Sequence, residues 1–102
     1  MNPWELSAPI QTLVQEIVRV AKPSKMLLFG SRARGDFREN SDVDLCVVGK
    51  HCDETLWNRL LISVQDAPHT LLKVDLVEFE KLSKIHQNEI NKDGVILYKS
   101  DT

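Results

Sequence analysis

Met26-Leu27-Leu28-Phe29-Gly30-Ser31-Arg32-Ala33-Arg34-Gly35, followed after a short polar stretch by Asp42-Val43-Asp44-Leu45-Cys46-Val47-Val48, is the part of the sequence that decides the fold. Residues 26–29 are four consecutive apolar side chains stopped by a glycine, which predicts a short buried strand. Residues 31–35 predict a tight helical turn, with Gly30 allowing the backbone to approach a ligand closely. Ser31 adds a hydroxyl, and the amides at the start of such a turn face negative charge well. The lysine of a Walker-type loop is absent. Ten residues separate Ser31 from Asp42, and Asp42 and Asp44 lie two apart at the start of the next predicted strand, residues 43–48. Side chains two apart share a strand face, so the pair projects together while Val43, Leu45 and Val47 turn to the core. Two carboxylates held this close repel unless a cation or a proton compensates them, which suits a divalent metal such as Mg²⁺. Taken alone, the pair reads more readily as the end of a turn beside an acid facing water.

Asp75 interrupts a second apolar run, Leu71-Leu72-Lys73-Val74-Asp75-Leu76-Val77. Alternation puts Val74 and Leu76 on one face and Asp75 on the other with Lys73 and Val77. It is either a surface acid or, beside the Asp42/Asp44 strand, a third metal ligand that assists deprotonation of an acceptor. Arg32 and Arg34 offer charge to phosphate oxygens or to solvent-exposed ion pairs, and Lys73 has the same two readings. His51, Cys52, His69 and His86 have no partners at metal-ligand spacing. Phosphate-binding turn, paired acids and isolated acid together point to metal-assisted chemistry on a nucleoside triphosphate.

Outside these segments, Leu6, Ile10, Leu13, Val14, Ile17, Val18 and Ala21 recur at helical spacing, with Pro9 in the first turn and Pro23 as the stop. Asp53 is placed to cap a helix whose apolar face carries Leu56, Trp57, Leu60, Leu61 and Val64, closed by Pro68. A last helix uses Leu82, Ile85 and Ile90 and ends near Gly94, before a segment 95–98 that reads as a strand or a packed tail. Strands alternating with helices predict one small α/β domain spanning residues 1–102, a helix-covered sheet.

Bulk properties narrow the function further. A chain of 102 residues with 42% hydrophobic content holds one compact core, with little room to grip a template. A formal net charge of −2 argues against a strongly basic nucleic-acid surface. Cys46 and Cys52 form no disulfide framework and read as reduced structural thiols, consistent with a cytoplasmic protein. No run approaches the ~20 apolar residues of a membrane span, and the amino terminus carries no signal-peptide pattern.

The segment 29–35 followed by Ser41-Asp42-Val43-Asp44-Leu45 resembles the motif of the polymerase-beta-like minimal nucleotidyltransferases, a Gly-Ser turn followed at this spacing by an Asp-x-Asp pair. The resemblance runs from the opening helix through residue 77. It implies a small mixed, twisted sheet covered by helices. It also implies that Gly30 and Ser31 position the phosphates of ATP, that Asp42 and Asp44 bind Mg²⁺, and that Asp75 completes a catalytic triad. Minimal members of this family are often paired with small all-helical HEPN-domain proteins in toxin–antitoxin systems, where the nucleotidyltransferase moves AMP from ATP onto a tyrosine of the HEPN ribonuclease. Two alternatives accompany this expectation: transfer to a small hydroxylated molecule, as in aminoglycoside-modifying relatives, or neutralisation of a partner by contact alone.

Overall fold

A computed structural model describes residues 8–36, 42–66 and 73–101. The elements run α1 (Ala8–Ala21), β1 (Lys25–Phe29), α2 (Ser31–Arg34), β2 (Val43–Val48), α3 (Glu54–Asp66), β3 (Val74–Glu78), a single 3₁₀ turn (Phe79–Lys81), α4 (Lys84–Asp93) and β4 (Val95–Lys99). The strands form one sheet in the order β3-β2-β1-β4. β1 runs antiparallel to both β2 and β4, whereas β2 and β3 are parallel, so the sheet is mixed as expected.

The two faces follow from strand alternation. Met26 and Leu28 of β1, with Val43, Leu45 and Val47 of β2, turn to one side and are fully buried against Ile10, Leu13, Ile17 and Ala21 of α1 and Trp57, Leu60 and Val64 of α3. Leu27 and Cys46 turn to the other side, where Ile90 of α4 covers them and Phe29, Val77 and Leu82 pack around. Both faces of the central strands are therefore dry near their middle, which is why β1 reads as an unbroken apolar run. The first helix stops where expected: Lys22 adopts a left-handed φ of 48°, its amide donates to the Val18 carbonyl at 2.9 Å, and Pro23 follows.

Several expectations need correction. Ile85 does not pack; it is 70% exposed, because α4 begins only at Lys84 and Ile85 lies about 140° around the helix from the inward Ile90. Leu56 is 41% exposed, since the inward stripe of α3 is Trp57, Leu60 and Val64, and Leu56 only flanks it. Residues 95–98 resolve to a strand: β4 pairs with β1 through Val95↔Leu28 and Ile96↔Leu27. The 3₁₀ turn had no counterpart in the sequence reading. The third strand, expected over 71–77, forms as Val74–Glu78. Leu6, Pro68 and residues 37–41 and 67–72 lie outside the described residues. Among the described residues, no helix is long and apolar enough to cross a membrane.

The Asp53 cap is present: the Leu56 amide donates to Asp53 Oδ1 at 2.8 Å and the Trp57 amide to the Asp53 carbonyl at 3.0 Å. Asp53→Ala should lower the unfolding free energy by about 1 kcal/mol, read as a shifted denaturant midpoint at unchanged slope.

Candidate active site

Parallel pairing of β2 with β3 sets Asp44 directly opposite Asp75, and antiparallel pairing of β1 with β2 sets Phe29 opposite Asp44. Neighbouring strands lie about 4.8 Å apart. Phe29, Asp44 and Asp75 therefore form a row across the face opposite the main core, at the end of the sheet where β1 gives way to α2. Gly30 continues that row with φ 75° and ψ −156°, a conformation open to glycine. A Cβ there would sit 2.3 Å from Asp44 Oδ2, so the backbone passes against the carboxylate with no room for a side chain. The Gly30 carbonyl accepts from the amides of Ala33 and Arg34 at 3.2 and 3.1 Å, and Gly35, left-handed at φ 89°, closes the turn by donating to the Ser31 carbonyl at 2.9 Å. The helical turn expected over 31–35 is thus formed, held at both ends by glycines.

A cleft of about 760 Å³ opens over this row. Its walls include Gly30, Arg34, Asp44 and Asp75, then Val77 and Leu82, and the α4 residues His86, Glu89 and Asp93. Of the seven site residues expected from the sequence, four line it; Ser31, Arg32 and Asp42 do not. The two arginines are separated by their own helix: Arg34 faces the cleft and pairs with Asp36 at 3.3 Å, while Arg32 is only 8% exposed. Residues two apart on a helix point about 200° apart, so the two arginines project in different directions and only Arg34 lines the cleft. Asp42 is exposed at the mouth of β2. Lys73 Nζ lies 3.7 Å from Asp75 Oδ1, which accounts for its position on the same strand face.

Electrostatics link the three acids. Burial, followed by the charges of Asp75 and Asp42 and a side-chain hydrogen bond with Asp75, raises the Asp44 pKa to about 6, with Arg34 opposing the shift. Among the described residues, no three His, Cys, Asp or Glu side chains converge into a ready-made metal cluster. Mutual repulsion disfavours such convergence of bare carboxylates, and the same repulsion is what a divalent cation would relieve. The donors are carboxylate oxygens, the set that hard cations take, and the backbone at Gly30 leaves the Asp44 carboxylate uncrowded.

The raised pKa has a consequence for stability. Between about pH 4 and pH 6 the folded chain holds a proton on Asp44 that the unfolded chain, near its ordinary value of 3.8, has released. This contribution is fully present below about pH 4 and is lost as pH rises through 6. Chemical denaturation across this range in Asp44→Asn should lack that decline, so the wild type and variant curves diverge with rising pH.

Of the described histidines and cysteines, all but one lie outside the cleft lining, and His69 lies outside the described residues. His51 Nδ1 lies 2.7 Å from the Lys22 carbonyl. Both cysteines are free, and burial pushes the Cys46 thiol up to about 12, leaving it unreactive at neutral pH. The exception is His86, which joins Glu89 and Asp93 as a polar stripe along the cleft wall. Helical spacing of 3 and 4 was the only signal of that stripe in the sequence, and it is also the pattern of a solvated helix face.

Residues 11–102 match the family described as Polymerase beta, Nucleotidyltransferase. A Methanocaldococcus jannaschii protein with the provisional name of protein adenylyltransferase is 29% identical over 77 residues, covering 72% of this chain and 77% of that protein. A crystal structure of a toxin–antitoxin with AMP-PNP is similar in fold with a TM-score of 0.67 at 23% identity, covering 89% of this chain and 74% of that one. A structure provisionally described as a minimal nucleotidyltransferase has a TM-score of 0.68 at 24% identity, over 93% of this chain and 95% of that one. A third, a tri-AMPylated Shewanella oneidensis HEPN toxin in complex with MNT antitoxin, matches with a TM-score of 0.57 at 21% identity, over 88% of this chain and 72% of that one.

Proposed function

Because the chain belongs to the polymerase beta nucleotidyltransferase family, we propose that it transfers AMP from ATP to a hydroxyl of a protein acceptor, a tyrosine on a small all-helical HEPN ribonuclease, and acts as the antitoxin of that pair. Nucleotidyl transfer follows from family membership. The protein acceptor draws support from the relative named as a protein adenylyltransferase and from the neighbour described as holding an AMPylated HEPN toxin. The observation that carries the reading is the Asp44↔Asp75 register beside Gly30. It gathers a carboxylate pair and a bare stretch of backbone into one cleft, as phosphoryl chemistry on a triphosphate requires.

In this mechanism Asp44 and Asp75, with Asp42 at the mouth of β2, would hold Mg²⁺. Bound there, the ion would supply charge stabilisation for the triphosphate and lower the pKa of the attacking hydroxyl. Gly30 admits the phosphates close to the backbone, and the start of α2 with Ser31 presents its amide to them. Arg34 offsets charge on the leaving side. The acceptor oxygen bonds to the α-phosphorus as the bond to the bridging oxygen breaks, and pyrophosphate leaves with the electron pair. Asp75 takes the acceptor proton at a carboxylate oxygen.

The test is direct. The purified chain, ATP, Mg²⁺ and a small all-helical HEPN-domain protein as the partner are incubated together, and the partner is weighed by intact-mass spectrometry. A covalent gain of AMP located on a tyrosine is expected. Association that silences the partner without any mass change replaces this reading with neutralisation by contact. AMP found on an aminoglycoside but never on protein moves the acceptor to small molecules.

A further inference from the structure

We infer that Glu78, the last residue of β3, is a positioning residue: its ion pair with Lys50 holds β3 in the register that sets Asp75 against Asp44. This rests on the reading of those two carboxylates as the reacting pair.

Among the described residues β3 is an edge strand that pairs with β2 alone, so a single ladder fixes its register. The apolar pattern leaves that register underdetermined on the core side. Leu72, Val74 and Leu76 alternate along the sequence, and Val74 and Leu76 meet the main core. A shift of two residues keeps every side chain on its own face and would seat Leu76 where Glu78 now stands. On the other face the same shift would set Lys73 opposite Asp44 and carry Asp75 to a place opposite Cys46, about 7 Å away. An ammonium would then neutralise Asp44 where the second carboxylate is needed. The shifted register keeps its apolar burial and loses the site.

Glu78 breaks this degeneracy. It shares the inward parity of Val74 and Leu76, yet it is a carboxylate, and its side chain is only 10% exposed. Lys50, which follows β2, places Nζ 3.3 Å from Glu78 Oε1 and 2.9 Å from Glu54 Oε1, with the ammonium 5.7 Å from the centroid of the Trp57 ring. Lys81 meets Glu78 Oε2 at 3.1 Å from a more exposed position. Two contacts on α3 thus fix Lys50 independently of β3. The shift would draw Glu78 about 7 Å along the strand, away from that anchored cation. A buried ion pair adds little net stability, but separating its partners is costly, and that combination specifies register. At the same end Glu80 accepts from the Gly49 amide at 3.0 Å, a bond open to competition from water.

Glu78→Leu extends the apolar alternation and is the informative variant. It should fold, because Lys50 keeps Glu54, but it should populate both registers. In the full wild-type chain, interstrand NOEs should place Leu45 beside Leu76; the variant should add a second set placing Leu45 beside Val74. AMP transfer to the HEPN-domain protein should fall about 10-fold, the scale on which one charged hydrogen bond shifts a two-state equilibrium. Glu78→Gln still accepts from Lys50, so it should show a single NOE set and transfer within about threefold of wild type. Should Glu78→Leu fail to fold, Lys50→Met carries the same test: it keeps an unbranched stem beside Trp57, removes the anchored cation, and should also show the second set. A foldable variant of this pair with the native NOE set alone overturns the proposal, whatever its rate. A second set with an undiminished rate overturns it as well. A wild-type chain that moves no AMP overturns the proposed reaction, while the NOEs still decide what holds β3 in register.

Discussion

Asp44→Asn is expected to abolish AMP transfer while making the folded chain more resistant to heat. The loss of activity should reach about 10³-fold or more, equivalent to ~4 kcal/mol of transition-state stabilisation. Among the described residues, Asp44 is the only acid in direct register with another acid of the cleft and against the Gly30 backbone at once. Asparagine keeps the shape of the side chain but removes an anionic ligand. The gain in stability has a separate cause. At neutral pH the Asp44 carboxylate is ionised although burial and the charges of Asp75 and Asp42 raise its pKa to about 6, so the folded state bears an unfavourable charge. The neutral amide removes it. Melting curves at pH 7.5 should place the variant above wild type without Mg²⁺, and added Mg²⁺ should raise the wild type but not the variant. A variant that loses both activity and stability would mean that Asp44 is structural.

Gly30→Ala should be nearly as damaging by a different route. Any residue other than glycine at φ 75° and ψ −156° is strained, at about 1–3 kcal/mol. The new methyl would fall 2.3 Å from Asp44 Oδ2, and a carboxylate can swing away from it. The chain should therefore still fold, with a lower melting temperature, but with Asp44 displaced from Asp75. Transfer should drop by about 10²-fold or more, on the scale that a displacement of about 1 Å in a positioned group produces. Gly35→Ala makes the useful comparison. Gly35 is also left-handed, at φ 89°, yet it is exposed and lies outside the cleft walls. It should lose stability while keeping most of the transfer rate.

Much of this site is visible in the linear chain, for local reasons. The apolar run ending at Gly30, the short turn behind it and the two-residue spacing of Asp42 and Asp44 depend only on strand parity and glycine conformation. An acid inside an apolar strand marks Asp75 in the same way. What pairs Asp75 with Asp44 is the parallel neighbour relation of β2 and β3, and no local pattern states which strands lie side by side or in what register. The α4 wall was missed for a related reason. His86, Glu89 and Asp93 face a cleft only because Ile90 docks α4 across Leu27 and Cys46, and that docking is a tertiary event. The divergence of Arg32 from Arg34 was open to elementary helix geometry; which of the two turns inward is decided by packing.

The reaction itself is tested most directly by where the label goes. ATP carrying ³²P at the α-position, and separately at the γ-position, is incubated with the chain, Mg²⁺ and the HEPN protein, and the protein is isolated under denaturing conditions. Attack at the α-phosphorus places the α-label on the HEPN protein and releases the γ-label as pyrophosphate, and Asp44→Asn places neither. Incorporation of the γ-label would identify a phosphoryl transferase, and absence of both labels from every acceptor would contradict the assignment of the Asp44–Asp75 cleft to nucleotidyl transfer.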